Sequence, residues 1–197
     1  MVKRLIQQNQ IQERILDVTA QLFYEKDMQA VSVDEISLQA GIAKMTLYKH
    51  FLSKDHLIMA LVARDEKRWW DWFTIELHQC NKTDHKQLLA IFDLLVYSIE
   101  KASYKNQLFI NVRFRVVETM HPIFLVSENF LKRLKDCVLD KAKLANIANP
   151  HQVTDQLMLL VVGLNALYNL NNTKLLKTSL YNAKKLAVMI INSATQS

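Results

Sequence analysis

The residues best suited to chemistry lie in one short stretch, Lys44-Met-Thr-Leu-Tyr-Lys-His-Phe-Leu-Ser-Lys54. At 100° per residue, Ala43, Leu47 and Phe51 fall on one side of a helix, with Ile42 just before them. The opposite side carries Met45, Thr46, Tyr48 and Lys49, with Lys44 and His50 on its flanks. Such a face holds several hydrogen-bond donors, an aromatic ring and one apolar probe, and it contains no acid to repel phosphate. Donors and methyl contacts are what read base edges in a DNA major groove. Lys54 stands in the first turn of the following helix, where the helix dipole disfavours a cation. A phosphate docked at that helix start accounts for it.

The elements that must position this face are legible around it. A first helix is expected over Gln8 to Lys26, because Ile11, Ile15, Val18 and Leu22 recur at spacings of four, three and four. Asp27 breaks it. Ser32 followed by Glu35 forms a capping box, with Val31 and Ile36 placed as a hydrophobic staple. Gly41 supplies the left-handed residue that ends this short second helix. A third helix, Ala43 to Phe51, follows at once. Two short helices joined by a tight Gly-containing turn suggest a helix-turn-helix. Ser53 then caps a fourth helix, stapled by Leu52 and Leu57 and running to about Gln79.

The rest of the chain reads as helix as well. Of 197 residues only two are Gly and two Pro, too few for the turns of an all-β or α/β fold. Five further helices are expected near Asp84–Ser103, Asn106–Met120, Pro122–Ile147, His151–Leu170 and Lys174–Thr195. The last carries an apolar stripe of Leu176, Leu180, Ala183, Ala187, Ile190 and Ala194. The one before it is apolar nearly all round from Leu157 to Leu164, which calls for cover on every side; a partner subunit would supply it. The fold class is thus all-α, about nine helices, with a helix-turn-helix domain over 1–52 followed by a larger helical domain over 53–197.

Composition bounds the partners. The net charge is +6, yet through His56 seven Lys/Arg face seven Asp/Glu, so overall basicity does not mark the DNA-binding part. Cys80 and Cys137 form neither metal spacing nor a disulfide framework, which fits a reducing, cytoplasmic compartment. The strongest apolar run is far short of the roughly 20 residues a membrane span needs. No leader-type apolar segment opens the chain. Ser98 and Lys101 match an SxxK motif without its companion motifs, and there is no phosphate loop or HExxH. An enzyme is not expected, nor a cofactor, nor a metal.

The stretch Glu13 to Val62 resembles the DNA-binding domain of the tetracycline-repressor (TetR) family. The resemblance is carried by ILDVTAQLF, then SVDEISLQAG, then TLYKHFLSKDHL. It implies an all-α homodimer whose first three helices bind DNA, whose later helices enclose a ligand pocket, and whose last two helices pair across the dimer. Most members are repressors released from DNA by a small molecule. Carried over by position, Ser32 contacts phosphate, Lys44 and Met45 face bases, Thr46, Tyr48 and His50 mix backbone and base contacts, and Lys54 holds phosphate. Lys49 joins them from the helical wheel. Two positions depart from the family pattern: Asp27 replaces a usual Gly, and Met45 replaces a small residue, which implies an unusual operator. The recognition helices of such a dimer enter successive major grooves of a palindromic site about 34–36 Å apart.

For a ligand, aromatic residues with a charged group nearby suit an apolar or amphipathic molecule. The candidates are Trp72, Phe92, Phe109, Arg113 and Phe114. The alternative is a DNA-binding protein controlled by protein partners or acting architecturally, without a small-molecule inducer; a filled core favours it, an open cavity the ligand-responsive regulator.

Overall fold

The computed structural model describes residues 2–26, 28–80, 83–101, 122–169 and 173–194. Eight helices, and no strand, occur among these residues: α1 (Val2–Glu25), α2 (Val33–Gln39), α3 (Lys44–His50), α4 (Lys54–Gln79), α5 (Asp84–Lys101), α6 (Pro122–Leu144), α7 (Pro150–Asn169) and α8 (Thr173–Ser193). The helix expected over Asn106–Met120 and the break at Asp27 lie outside the described residues.

The apolar stripe of α1 faces inward as its spacing requires: Ile15 and Leu22 are buried, Ile11 and Val18 half-buried. The helix starts at Val2, six residues before the expected start. Those extra residues hold no breaker, and Ile6 and Gln7 among them are exposed, so nothing in this stretch stops the helix.

At its other end the domain core is Met28, Val31, Ile36, Leu47 and Phe51, each at most 3% exposed. Burying each such side chain stabilises the fold by about 1.5–3 kcal/mol. Helix α4 runs past this core and joins it to the second part of the molecule. Its Leu57, Leu61 and Val62 are fully buried. Its Arg64 reaches back to α1, donating to Asp17 Oδ1 at 2.9 Å and Glu13 Oε2 at 3.2 Å. Arg68 adds a bond to Glu13 at 2.9 Å.

Beyond α4, helices α5 to α8 share one core built from Leu88, Ile91, Leu95, Leu134, Val138, Leu157, Val161, Leu180 and Ile191. The stripe expected on α8 packs as predicted, with Leu180, Ala183 and Ala187 buried. Helix α7 is not covered all round: Leu157, Val161 and Leu164 are buried, while Leu159 is 72% exposed. Helix α6 ends at Leu144, three residues early. Asn146 (φ 51°) takes the left-handed position, and Ile147 N–H donates back to the Ala142 carbonyl at 3.1 Å. That closes the helix in the manner a Gly usually does. Pro150 opens α7 at the position where its missing N–H costs nothing.

Candidate nucleic-acid interface

The interface begins with how α2 is held. Ser32 is extended, and its Oγ accepts from Glu35 N–H at 3.1 Å. This satisfies one of the donors left open at a helix start. The Glu35 carboxylate pairs with Lys26 of the segment after α1, so it ties α2 to α1. At the other end Gly41 has φ 61°, Gly41 N–H donates to Leu38 O and Ile42 N–H to Ser37 O, both at 3.1 Å. These two bonds with a left-handed residue form a Schellman turn. The turn fixes the angle between α2 and α3.

On α3 the inward residues are Leu47 (fully buried) and, at its end, Phe51. Ala43 does not join them. It is exposed and serves as the N-cap, with no side-chain bond, because the chain has just left the turn at Gly41. The outward residues are those expected. Lys44, Met45 and Lys49 are exposed; Thr46, Tyr48 and His50 are half-buried. Met45 is 69% exposed, a large apolar side chain standing in water. An exposed apolar side chain with donors on either side has the composition of a base-reading surface.

The cations are not all free. Lys44 Nζ lies 2.7 Å from Asp34 Oδ1 in the first turn of α2. The hydrogen bond and charge of Asp34 hold the Lys44 ammonium above its ordinary value. The acids of the preceding helices are therefore not clear of the basic face. Nothing in helical periodicity links residues ten apart across a turn, so spacing alone could not reveal this pair. Lys54 Nζ donates to the Gln29 carbonyl at 3.3 Å, which draws the start of α4 onto the loop before α2. Their partners, Asp34 and Gln29, stand on either side of Ser32 in the chain.

The start of α4 differs from the expected staple. Ser53 Oγ accepts from His56 N–H at 3.0 Å, and His56 Nδ1 accepts from Leu52 N–H at 3.2 Å. The imidazole acts from the position a Glu or Gln holds in a capping box, but it accepts from Leu52, one residue before the cap. Leu52 is 83% exposed and does not staple against the buried Leu57. Instead the His56 ring meets Phe51 edge-on, centroids 6.1 Å apart.

The candidate ligand residues fare differently. Phe92 is buried and lies with Leu88, Ile91, Leu95, Val138, Leu157, Met158 and Val161 around a crevice too narrow for a water-sized sphere. Trp72 is elsewhere, stacked on Tyr97 with centroids 6.0 Å apart. Phe109, Arg113 and Phe114 lie outside the described residues. The other Trp residues of α4 form a packed cluster: Trp69 stacks on Phe73 at 4.8 Å and meets Phe130 edge-on at 4.9 Å, while the Arg133 guanidinium lies 4.1 Å from the Trp70 ring centre. Beside it burial raises the Glu66 carboxyl above its usual range, with Arg133 opposing. Ser98 of the SxxK sequence donates to the Leu95 carbonyl of its own helix at 2.7 Å. No group of three His, Cys, Asp or Glu placed to hold a metal occurs among the described residues, and no described helix is long and apolar enough to cross a membrane.

A capped α2, a Schellman turn and an outward donor-bearing α3 define a helix-turn-helix DNA-binding unit on an all-helical body. Residues 15–61 match the bacterial regulatory proteins of the tetR family. An uncharacterized HTH-type transcriptional regulator of Mycobacterium tuberculosis is 38% identical over 56 residues, 28% of either chain. The HTH-type transcriptional regulator UidR of Escherichia coli is 36% identical over 55 residues, again 28% of either chain. The match thus spans under a third of these relatives' length. In three dimensions a TetR-family regulator from Streptomyces coelicolor aligns with a TM-score of 0.76 over 94% of this chain and 90% of its own, at 19% identity. A transcriptional regulator from Saccharomonospora viridis in complex with choline aligns at 0.77 over 93% and 96%, at 16% identity. Residues 15–61 thus carry a tetR-type helix-turn-helix DNA-binding domain, and the described chain has the fold of TetR-family regulators.

Proposed function

We propose that the protein is a cytoplasmic homodimeric repressor that binds a palindromic operator and is released by a small apolar or amphipathic molecule. The observation that carries the DNA-binding part is the outward face of α3, with Met45 and Lys49 exposed and Ser32 capped beside it. In this reading residues 1–52 are the DNA-binding domain and 53–197 the regulatory domain. Met45 and Lys44 face bases. Ser32, whose Oγ accepts within the cap, keeps its O–H for a phosphate, and Lys54 reaches the backbone beside it. Thr46, Tyr48, Lys49 and His50 complete the surface. Phosphate contacts supply affinity and salt dependence; base contacts supply sequence.

Dimerisation through α7 and α8 is supported by their uncovered apolar side chains: Leu159, Val162, Leu175, Leu186 and Met189 are each more than 40% exposed. A ligand acts only if it favours an arrangement whose recognition helices no longer match the operator. The α4 helix, clamped to α1 by Arg64, is the element through which that change passes. A choline complex of a structural neighbour supports small-molecule binding in this fold. One observation favours regulation without a ligand: the described space around Phe92 is packed.

The test is selection of binding sites from a random duplex pool at about 150 mM salt. Enrichment of an inverted repeat supports the reading. Binding that enriches no sequence and vanishes as salt rises contradicts it in favour of an architectural role.

A further inference from the structure

The Asp34–Lys44 pair joins the two halves of the helix-turn-helix at the surface proposed to meet DNA. The ammonium and carboxylate lie 2.7 Å apart, with the side chains 49% and 71% exposed. Asp34 has no structural need of Lys44, since an acid in the first turn already suits the helix dipole. Nor does Lys44 cap α2; Ser32 does that. The pair leaves Lys44, first residue of the recognition helix, with an oxygen partner in the free protein. That oxygen has the charge and hydrogen-bonding character of a phosphate or a base acceptor. We infer that Asp34 is a positioning residue for DNA recognition: it holds Lys44 off the phosphate backbone of arbitrary sequences and releases it only where the operator presents an acceptor at that point. The inference rests on the DNA-binding reading above.

The physical argument concerns competition. In a loosely docked, non-specific complex the contacts are to phosphate, and each cation engaged releases counterions. A Lys already neutralised 2.7 Å from a carboxylate gains little by exchanging it for a phosphate, so it stays where it is. Lys54 donates to an uncharged carbonyl, so it is not restrained in this way. In the closely docked specific complex Lys44 faces the bases, and Asp34 must give it up.

The test uses the full chain, a random-sequence duplex and the duplex enriched from the pool. Salt titrations compare the wild type with Asp34→Asn, Asp34→Glu, Lys44→Gln and the double variant Asp34→Asn/Lys44→Gln. On the random duplex, Asp34→Asn is expected to steepen the slope of log K against log salt by about 0.9, binding roughly fivefold tighter at 150 mM. On the enriched duplex its slope stays that of the wild type. Asp34→Glu restores the wild-type slope, and the double variant loses the steepening because the freed cation is gone. Equal slopes for wild type and Asp34→Asn on random duplex overturn the inference, as does steepening that persists in the double variant, which would be a general charge effect. A weaker α2 would lower binding to both duplexes without moving either slope, and that too overturns it. Wild type that binds no duplex sinks the DNA-binding reading itself.

Discussion

Arg64 of α4 donates to Asp17 of α1 at 2.9 Å while its own side chain is only 11% exposed. The guanidinium also reaches Glu13, and its Nε lies 3.5 Å from the buried Asp65. One residue therefore binds the recognition unit to the helix that carries it. Arg68 touches the same two acids from an exposed position. Exposed pairs are worth about 0–1 kcal/mol, whereas removing one partner of a buried pair costs several. Arg64→Ala is expected to lose about 2 kcal/mol or more of unfolding free energy, and Arg68→Ala less than about 1 kcal/mol. Denaturant midpoints at constant slope measure both. Equal losses would mean that Arg64 is an ordinary surface partner.

Asp65 is 5% exposed, and burial pushes its carboxyl up to about 6 against the opposing charges of Arg64 and Arg68. An acid whose pKa is raised on folding favours the protonated native state. Its stabilising contribution is fully present below the unfolded value of 3.8 and is lost as pH rises through about 6. At pH 7 the ionised group weighs against folding by roughly 3 kcal/mol at most, at 1.36 kcal/mol per pH unit. Asp65→Asn keeps the shape without the charge. Thermal melts across pH 4 to 7 should show the variant gaining on the wild type as pH rises. A gap that does not move with pH would refute the assignment.

Gly41 sits at φ 61°, and a Cβ built there meets no atom within 4 Å. The cost of a side chain is then purely conformational. Gly41→Ala should destabilise by about 1–2 kcal/mol, and Gly41→Asn by less, since Asn enters the left-handed region more readily. If Ala and Asn melt alike, the turn relaxes around the substitution.

What was legible in the chain depended on how local its physics is. Ser32 as the cap of α2, Gly41 and the α8 stripe are local signals and form as expected, while the Glu35 carboxylate turns to Lys26. The limits of α1 and α6 differ from those the sequence predicts for a related reason. The Ile11–Ile15–Val18–Leu22 stripe does not continue in register into Val2 to Gln10, yet no breaker stands there, so the helix continues; Asn146 ends α6 as a Gly would, and Asn is a weaker signal. The Lys44–Asp34, Lys54–Gln29 and Arg64–Asp17 contacts were not legible. They join residues 10, 25 and 47 apart, which only the folded geometry brings together. His56 as a capping partner was equally hidden, because Leu52 and Leu57 have the spacing of a staple.

The uncovered side chains of the last two helices give a prediction independent of DNA. Leu186 is 46% and Met189 66% exposed. In a monomer, a charge at either position costs within about 0.5 kcal/mol. In a dimer built on this face it places charge in an apolar contact. Leu186→Glu/Met189→Glu is expected to sediment as a monomer and to lose operator affinity while its helix content is unchanged. A variant that stays dimeric by analytical ultracentrifugation would exclude α8 from the interface.

The exposed Met45 and Lys49 of α3 should separate base reading from phosphate binding. A thioether projecting from the recognition helix has no charge to give to phosphate, and its natural partner in the groove is a thymine methyl. Met45→Ala should therefore leave the salt slope unchanged, weaken the enriched site by about 1 kcal/mol, and relax preference at one position of each half-site. Lys49→Gln should do the reverse: weaker binding to every duplex, a slope shallower by about 0.9, and the same sequence preference. Repeating the site selection with each variant reads both effects at once. If Met45→Ala enriches the same half-site as the wild type, that side chain does not read the operator, whatever its exposure.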